Sequence, residues 1–106
     1  MVSFPCQRLF EAQPLAYKKE VLQYQTEAPR VVIEAYAVNG WERYADAGFC
    51  MTGFGKSLPG KMAYRWFSFE AECVAAKVNI LVEDVRRNGV VSLRGEFRDL
   101  NEAGVK

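Results

Sequence analysis

A continuous run of apolar, largely β-branched residues, Arg30-Val31-Val32-Ile33-Glu34-Ala35, constrains the fold more than any other feature. The run does not alternate apolar and polar residues, which is typical of a strand buried on both faces of a parallel sheet. Such a sheet needs helices above and below it. We therefore predict an α/β fold with three α/β/α layers around a small, mostly parallel sheet.

Helical patterns lie on both sides of this strand. Apolar positions spaced three and four residues apart predict a long helix from Phe69 to about Arg87, and Asn88-Gly89 marks its end. Pro14 suits the start of another helix, because proline costs no hydrogen bond in the first helical turn. The four predicted helices cover residues 6–13, 14–22, 60–67 and 69–87.

The remaining elements are short. Val2-Ser3-Phe4 reads as the end of a strand stopped by Pro5, and Phe49-Cys50-Met51 as an apolar strand closed by Gly53 and Gly55. Val90 to Leu93 is predicted as a short strand or an extended arm. Residues 94–106 are polar and are predicted to form a surface tail. The predicted domain therefore covers residues 1–93.

Length and charge restrict the class of protein. A chain of 106 residues forms about one domain, and 14 basic against 13 acidic residues leave a net charge of +1. This balance gives no electrostatic footprint for nucleic acid. No apolar run approaches the ~20 residues that cross a bilayer, and the first residues lack a secretory signal. We expect an intracellular protein that binds neither nucleic acid nor membrane.

The chain contains no histidine, so no site in it uses a Ser-His-Asp or Cys-His arrangement or a histidine zinc ligand. The three cysteines, Cys6, Cys50 and Cys73, are widely spaced and odd in number, which is neither a disulfide framework nor a metal motif. We interpret them as reduced, buried thiols. A weaker alternative is a small enzyme with Cys50 or Cys6 as nucleophile.

The segment Gly53-Phe54-Gly55-Lys56-Ser57 partly resembles a phosphate-binding loop, but Cys50 occupies the position of the first required glycine. Its backbone N–H groups and Lys56 could meet an anion, with Trp41 completing the site. The favoured interpretation is a sharp turn between a strand and a helix. Two further groups are interpreted structurally: Glu42 and Asp46 as surface ion pairs, and the aromatic residues Trp41, Tyr44, Phe49 and Phe54 as core.

Several segments together resemble the C-terminal domain of transketolases. Residues 2–17 (VSFPCQRLFEAQPLAY) are similar to the family's VVSMPCxxLFxxQPxxY run, and residues 30–35 (RVVIEA) to its next strand. Residues 40–44 (GWERY) and 54–60 (FGKSLPG) resemble its GWxxY turn and FGxSxPG loop, in order and with the family's spacing. The resemblance covers residues 2–85, and the GKSLPGK loop and the LRGEFRDL ending resemble its dihydroxyacetone synthase branch.

The chain also departs from the family pattern. Ser68 stands where the family usually has glycine, and Cys50-Met51-Thr52 replaces Gly-Met-Asp. The family's first strand and helix, and its two cofactor-binding domains, have no counterpart here. The final residues, 103–106, do not form the SKL-type tripeptide expected of a peroxisomal member of that branch.

The resemblance implies a domain outside the chemistry of its parent enzyme. Full-length relatives transfer a two-carbon ketol unit from a ketose phosphate to an aldehyde, using thiamine diphosphate held by Mg²⁺ or Ca²⁺. None of those cofactor or substrate residues can be transferred to this sequence. We therefore expect a non-catalytic domain of a cytoplasmic or peroxisomal parent, without a cofactor of its own. Its expected partners are the catalytic domains or further copies of the chain. A binding module with an anion site at Gly53–Ser57 is the alternative.

Overall fold

The computed structural model describes residues 1–93 and 95–101. The chain forms four α-helices and three β-strands in these ranges. In order they are α1 (Gln7–Glu11), α2 (Leu15–Val21), β1 (Val31–Ala37), β2 (Ala47–Met51), α3 (Gly60–Trp66), α4 (Ala71–Asn88) and β3 (Arg98–Asp99). Two 3₁₀ turns lie at Trp41–Arg43 and Val90–Leu93. All four predicted helices are thus confirmed.

The three strands form one sheet in the order β1-β2-β3, and both neighbouring pairs are parallel. Val31 pairs with Ala47 and Ile33 with Phe49, after which a bulge in β1 places Ala37 opposite Met51. A small parallel sheet with helices confirms the predicted α/β class. The full three-layer arrangement stays a prediction.

The core lies between β2 and α4. Ala47, Leu81 and Val85 form a buried cluster with Val90 and Leu93, and Val31 and Leu100 pack at its margin. Gly48 faces the other side of the sheet, because successive residues of a strand point to opposite faces. A Cβ at Gly48 would lie 2.8 Å from the ring of Phe97 and 2.9 Å from the carbonyl oxygen of Val32. Only glycine therefore allows β1 and Phe97 to approach β2 this closely.

Three predictions about strands are wrong. Residues 2–4 form no strand, and Val90–Leu93 forms a 3₁₀ turn because its two buried residues, Val90 and Leu93, both turn back onto α4. β1 is not buried on both faces: within the described residues it lies at the edge of the sheet, and the side chain of Ile33 is 57% exposed. An apolar run indicates a strand but does not reveal whether both of its neighbours are present.

Part of the predicted surface tail belongs to the sheet. Arg98 and Asp99 pair with Ala47 and Gly48 of β2, and Asn101 is 1% exposed. The Asn101 amide donates to the carbonyl of Cys50 at 3.3 Å, which joins residue 101 to the end of β2. The rest of the predicted tail, namely Arg94 and residues 102–106, lies outside the described residues.

Candidate functional site

The predicted anion-binding loop, Gly53–Ser57, follows β2 and leads into α3. Its cation is already engaged, because the Lys56 ammonium lies 4.1 Å from the centre of the Trp66 ring. Phe54 is 99% exposed, so the prediction that it belongs to the core is wrong. Gly53 and Gly55 have open space around them, which agrees with a turn that needs little packing.

Trp41 packs in a different environment from this loop. Its ring lies 5.5 Å from Phe4 and 6.3 Å from Tyr44, and it lines a groove beside β1. Residues 53–57 line neither this groove nor the one between α2 and the segment that follows it. Nothing in the geometry therefore favours an anion site built from Trp41 and the Gly53–Ser57 loop together, and that site stays a prediction.

The three cysteines occupy different environments. Cys50 is buried in β2, and burial raises the pKa of its thiol to about 11, with the nearby charges of Asp99, Glu34 and Glu42 adding to the effect. A thiol with this pKa is protonated at neutral pH and is a poor nucleophile. Cys73 is half-buried. Cys6 is exposed at the start of α1, so the prediction of a buried thiol is wrong there.

Asp46, interpreted with Glu42 as part of a surface ion pair, does not lie at the surface. Asp46 is buried and accepts two hydrogen bonds from the Arg30 guanidinium, at 3.1 and 3.3 Å, and one from the Arg30 backbone at 2.8 Å. The surface interpretation is therefore wrong for Asp46, which fixes the start of β1 to the start of β2. Arg30 also stacks on Tyr24, 4.2 Å from its ring centre.

A polar cluster that the sequence did not predict surrounds Glu11 at the end of α1. Its carboxylate accepts hydrogen bonds from the Tyr44 hydroxyl at 2.5 Å and the Arg43 guanidinium at 3.0 Å, and Lys18 lies 3.6 Å away. The Tyr44 hydrogen bond is the main cause that lowers the pKa of Glu11. Burial and the same contact raise the pKa of Tyr44 to about 12. Glu11 and Tyr44 are 33 residues apart, so no local pattern could have revealed this contact.

Aromatic rings extend this cluster. Phe4 lies 4.6 Å from Phe10 and 4.7 Å from Tyr44, and Phe10 meets Tyr44 edge to face at 5.6 Å. We call the rings of Phe4, Phe10, Trp41 and Tyr44, with Glu11, the N-terminal hub. The hub joins α1 and the first residues to the turn after β1.

A groove of about 570 Å³ lies next to the hub, along β1. Its lining includes Met1 to Phe4, residues 28–34 and Trp41. No pattern in the sequence predicted this groove.

No three Cys, Asp or Glu side chains gather in a way that would hold a metal ion within residues 1–93 and 95–101. Across the same residues, none of the helices has the length and apolar character needed to cross a membrane.

The parallel sheet, the long helix against one face and the structural role of the buried charges define a small α/β domain. Residues 1–70 match the transketolase-like TK C-terminal domain family. The chain is 47% identical over 102 residues to a dihydroxyacetone synthase from Candida boidinii and 38% identical over 103 residues to one from Pichia angusta, each covering 96% of the chain. A transketolase from Sinorhizobium medicae is 45% identical over 80 residues, or 73% of the chain.

The chain belongs to the transketolase C-terminal domain family, which confirms the resemblance seen in its motifs. It spans about 14% of the length of the two dihydroxyacetone synthases and 11% of the bacterial transketolase. No solved structure gives a significant match.

Proposed function

We propose that this chain is a non-catalytic domain of a thiamine-diphosphate-dependent transketolase or dihydroxyacetone synthase, with a structural and assembly role. The parent reaction would be two-carbon ketol transfer from a ketose phosphate to an aldehyde. Diphosphate binding through Mg²⁺ or Ca²⁺ needs a group of oxygen ligands, and the described residues do not provide a cluster of three suitable side chains. They do not fit that cofactor, and we assign no catalytic step to them.

The observation that supports an assembly role is the amount of surface that the chain leaves exposed. A folded monomer of 12.0 kDa is expected to expose about 6,000 Å², whereas this chain exposes 7792 Å². If the six undescribed residues are given their full unfolded area of about 1,000 Å², an excess of about 800 Å² remains. A specific interface buries about 800 Å² on each partner. The excess exposed area therefore equals about what one partner buries in a specific interface.

Much of the exposed surface is apolar. Phe54 and three side chains of α3, namely Met62, Tyr64 and Trp66, are exposed, and Ile33 and Tyr36 are exposed on β1. Met62 and Trp66 are four residues apart and so share one face of α3, and a large apolar patch on a surface marks an interaction site. We propose that the catalytic region of the parent enzyme covers it, and that further copies of the chain do so when the chain is alone.

The assembly role is tested by exchanging domains. The matched 102-residue segment of the Candida boidinii dihydroxyacetone synthase is replaced by the corresponding segment of this chain, and ketol transfer is measured with xylulose 5-phosphate and formaldehyde. We expect the chimera to keep most of its activity and its oligomeric state, while deletion of the segment abolishes both. An inactive chimera with an intact fold would contradict the proposal.

The isolated chain provides a second test. With thiamine diphosphate, Mg²⁺ and xylulose 5-phosphate it should give no ketol transfer, and sedimentation should show a dimer or larger species. A stable monomer that melts cooperatively above ~60 °C, beyond much of the mesophilic range, would show that the exposed surface needs no partner.

A further inference from the structure

The dipeptide Asn-Gly occurs twice in the chain, at Asn39-Gly40 and at Asn88-Gly89. An asparagine before a glycine is prone to deamidation, because the next backbone nitrogen can attack the side-chain amide carbon and glycine has no Cβ to hinder that approach. The reaction needs a side chain that can turn toward the backbone and a backbone N–H that is free of hydrogen bonds. Both asparagines are exposed to solvent, so their hydrogen bonds decide which of them reacts.

Asn88 is protected at the end of α4. Its side-chain amide donates to the Asp84 carboxylate at 2.7 Å, and the same carboxylate accepts a hydrogen bond from Arg98 at 2.6 Å. The N–H of Gly89, which would be the attacking group, donates to the carbonyl oxygen of Val85 at 2.8 Å. Deamidation of Asn88 therefore requires two hydrogen bonds to break first, one of them to a charged group, and this slows the reaction.

Asn39 is in the opposite situation. Asn39 and Gly40 are the two middle residues of the turn after β1, which the Trp41 N–H closes by donating to the carbonyl oxygen of Val38 at 2.9 Å. Among the described residues, neither the Asn39 side chain nor the N–H of Gly40 makes a hydrogen bond. A Cβ at Gly40 would meet only the side-chain amide of Gln7, 3.8 Å away. The turn therefore has room to rearrange for attack.

We propose that Asn39 is a deamidation site of this chain and that the product loosens the N-terminal hub. The Gly40 nitrogen gives its proton to hydroxide and bonds to the side-chain carbonyl carbon of Asn39. The bond from that carbon to the amide nitrogen breaks, and the amide group takes a proton and leaves as ammonia. Water then opens either C–N bond of the resulting cyclic imide, which leaves aspartate or isoaspartate at position 39. No oxidant, reductant or cofactor is consumed.

Isoaspartate would disturb the hub through the main chain. Its linkage runs through the side chain, so it lengthens the backbone between Val38 and Trp41 by one carbon atom and leaves a carboxylate in the turn. The Trp41 ring, directly after the turn, lies 5.5 Å from Phe4 and 6.3 Å from Tyr44. A longer turn displaces this ring from both neighbours, whereas the core between β2 and α4 contains none of these residues. The inference is independent of the proposed function.

Trypsin places the two asparagines on separate peptides, residues 31–43 and residues 88–94. The folded chain is incubated at mildly alkaline pH, and mass spectrometry follows the exchange of amide for acid in each peptide. We expect residues 31–43 to convert at least about 10-fold faster than residues 88–94, because only Asn88 must first lose a hydrogen bond to a charged group. In urea that unfolds the chain, the two peptides should convert at similar rates, since both contain the same dipeptide.

Two matched variants connect the reaction to the hub, with Trp41 fluorescence measured in a Trp66→Phe background. After incubation, the emission should change and the amides of α1 should lose protection from hydrogen exchange, while α4 keeps its protection. Asn39→Gln should abolish both changes, because glutamine would have to close a larger ring and reacts far more slowly. Asn88→Gln should leave both changes in place. Both side chains are exposed, so both variants should fold.

Three results would overturn the inference. The first is that residues 31–43 of the folded chain convert no faster than residues 88–94. The second is a change in Trp41 emission that persists in Asn39→Gln. The third is a converted chain whose emission and α1 exchange equal those of the fresh chain, which would show that the turn absorbs the longer backbone without moving the hub.

Discussion

The region around β2 and α4 and the region before β1 are stabilised in different ways. Four of the five residues of β2 are buried, and α4 contributes Leu81 and Val85 to the same cluster. In residues 1–26, neither α1 nor α2 contains a buried residue. The first region carries a hydrophobic core of its own, while the second depends on the N-terminal hub. The chain thus contains a self-supporting region and a region that depends on the N-terminal hub.

This difference predicts separate stabilities. Burial of apolar side chains supplies most of the free energy of folding, and segments with few buried contacts open at a lower cost than the whole domain. We expect residues 1–26 to open before β2 and α4 unfold. The following substitutions test that order.

The largest effect should come from the core. Leu81→Ala removes a fully buried side chain and should lower the free energy of unfolding by about 2–5 kcal/mol, because a cavity is left behind. Leu9→Ala is the matched control in α1, where the side chain is 67% exposed, and should change it by no more than about 0.5 kcal/mol. Urea unfolding followed by circular dichroism measures both. Similar losses would refute the division into two regions.

A smaller loss should follow Gly48→Ala, which tests how tightly β1 is packed on β2. The new methyl group would lie within 2.9 Å of the Val32 carbonyl oxygen, which is backbone and cannot rotate away. We expect a loss of about 1–3 kcal/mol, as for other overpacked cores. Gly53→Ala has open space around it and should be nearly neutral. Urea midpoints that do not differ between the two variants would show that β1 lies further from β2 than described.

The sequence predicted the self-supporting region better than the dependent one. The spacing of Val74, Val78, Leu81 and Val85 indicated α4 because its apolar face packs on one partner, and periodicity reports that directly. The burial of β1 was predicted incorrectly, since an apolar run does not show whether a strand lies at an edge. β3 was missed because two residues joined to β2 leave no pattern in a polar segment.

The candidate site was predictable only as far as contacts are local. The turn at Gly53–Ser57 could be recognised from its glycines, but the contact of Lys56 with Trp66 depends on how α3 lies. Asp46 was interpreted as a surface residue although it pairs with Arg30, 16 positions earlier. Its role, like that of Glu11 in the N-terminal hub, comes from the fold and not from neighbouring residues.

The N-terminal hub should make the dependent region sensitive to pH at both ends of the scale. The pKa of Glu11 is lowered in the folded chain, so its contacts stabilise the hub above the ordinary value of 4.5 and are lost as the pH falls through the lowered pKa. The pKa of Tyr44 is raised from 10.0 to about 12, so its hydrogen bond is fully present below pH 10 and is lost as the pH approaches 12.

Trp41 fluorescence in a Trp66→Phe background reports on the hub alone. We expect its emission to change in acid and again above pH 10, at values where circular dichroism still shows α4 intact. Tyr44→Phe should remove the alkaline change and move the acid change to higher pH, since Glu11 loses the main cause of its lowered pKa. An alkaline change that persists in Tyr44→Phe would assign it to another group.

The smallest effect should come from two residues with positive φ, one at the edge of each region. Ser68, with φ +61°, follows α3 and precedes the core helix, whereas Gln23, with φ +51°, follows α2 in the dependent region. This conformation destabilises the folded state by about 1–2 kcal/mol for a non-glycine residue. Glycine avoids that strain, but its greater entropy in the unfolded chain opposes folding by about 0.5–1 kcal/mol. Ser68→Gly, which restores the family's usual residue, should therefore raise the free energy of global unfolding by about 0.5–1 kcal/mol.

Gln23→Gly should slow hydrogen exchange in α2 and leave the urea midpoint unchanged, because residues 1–26 are already open when the core unfolds. Equal gains in the midpoint would mean that the two regions unfold as one unit.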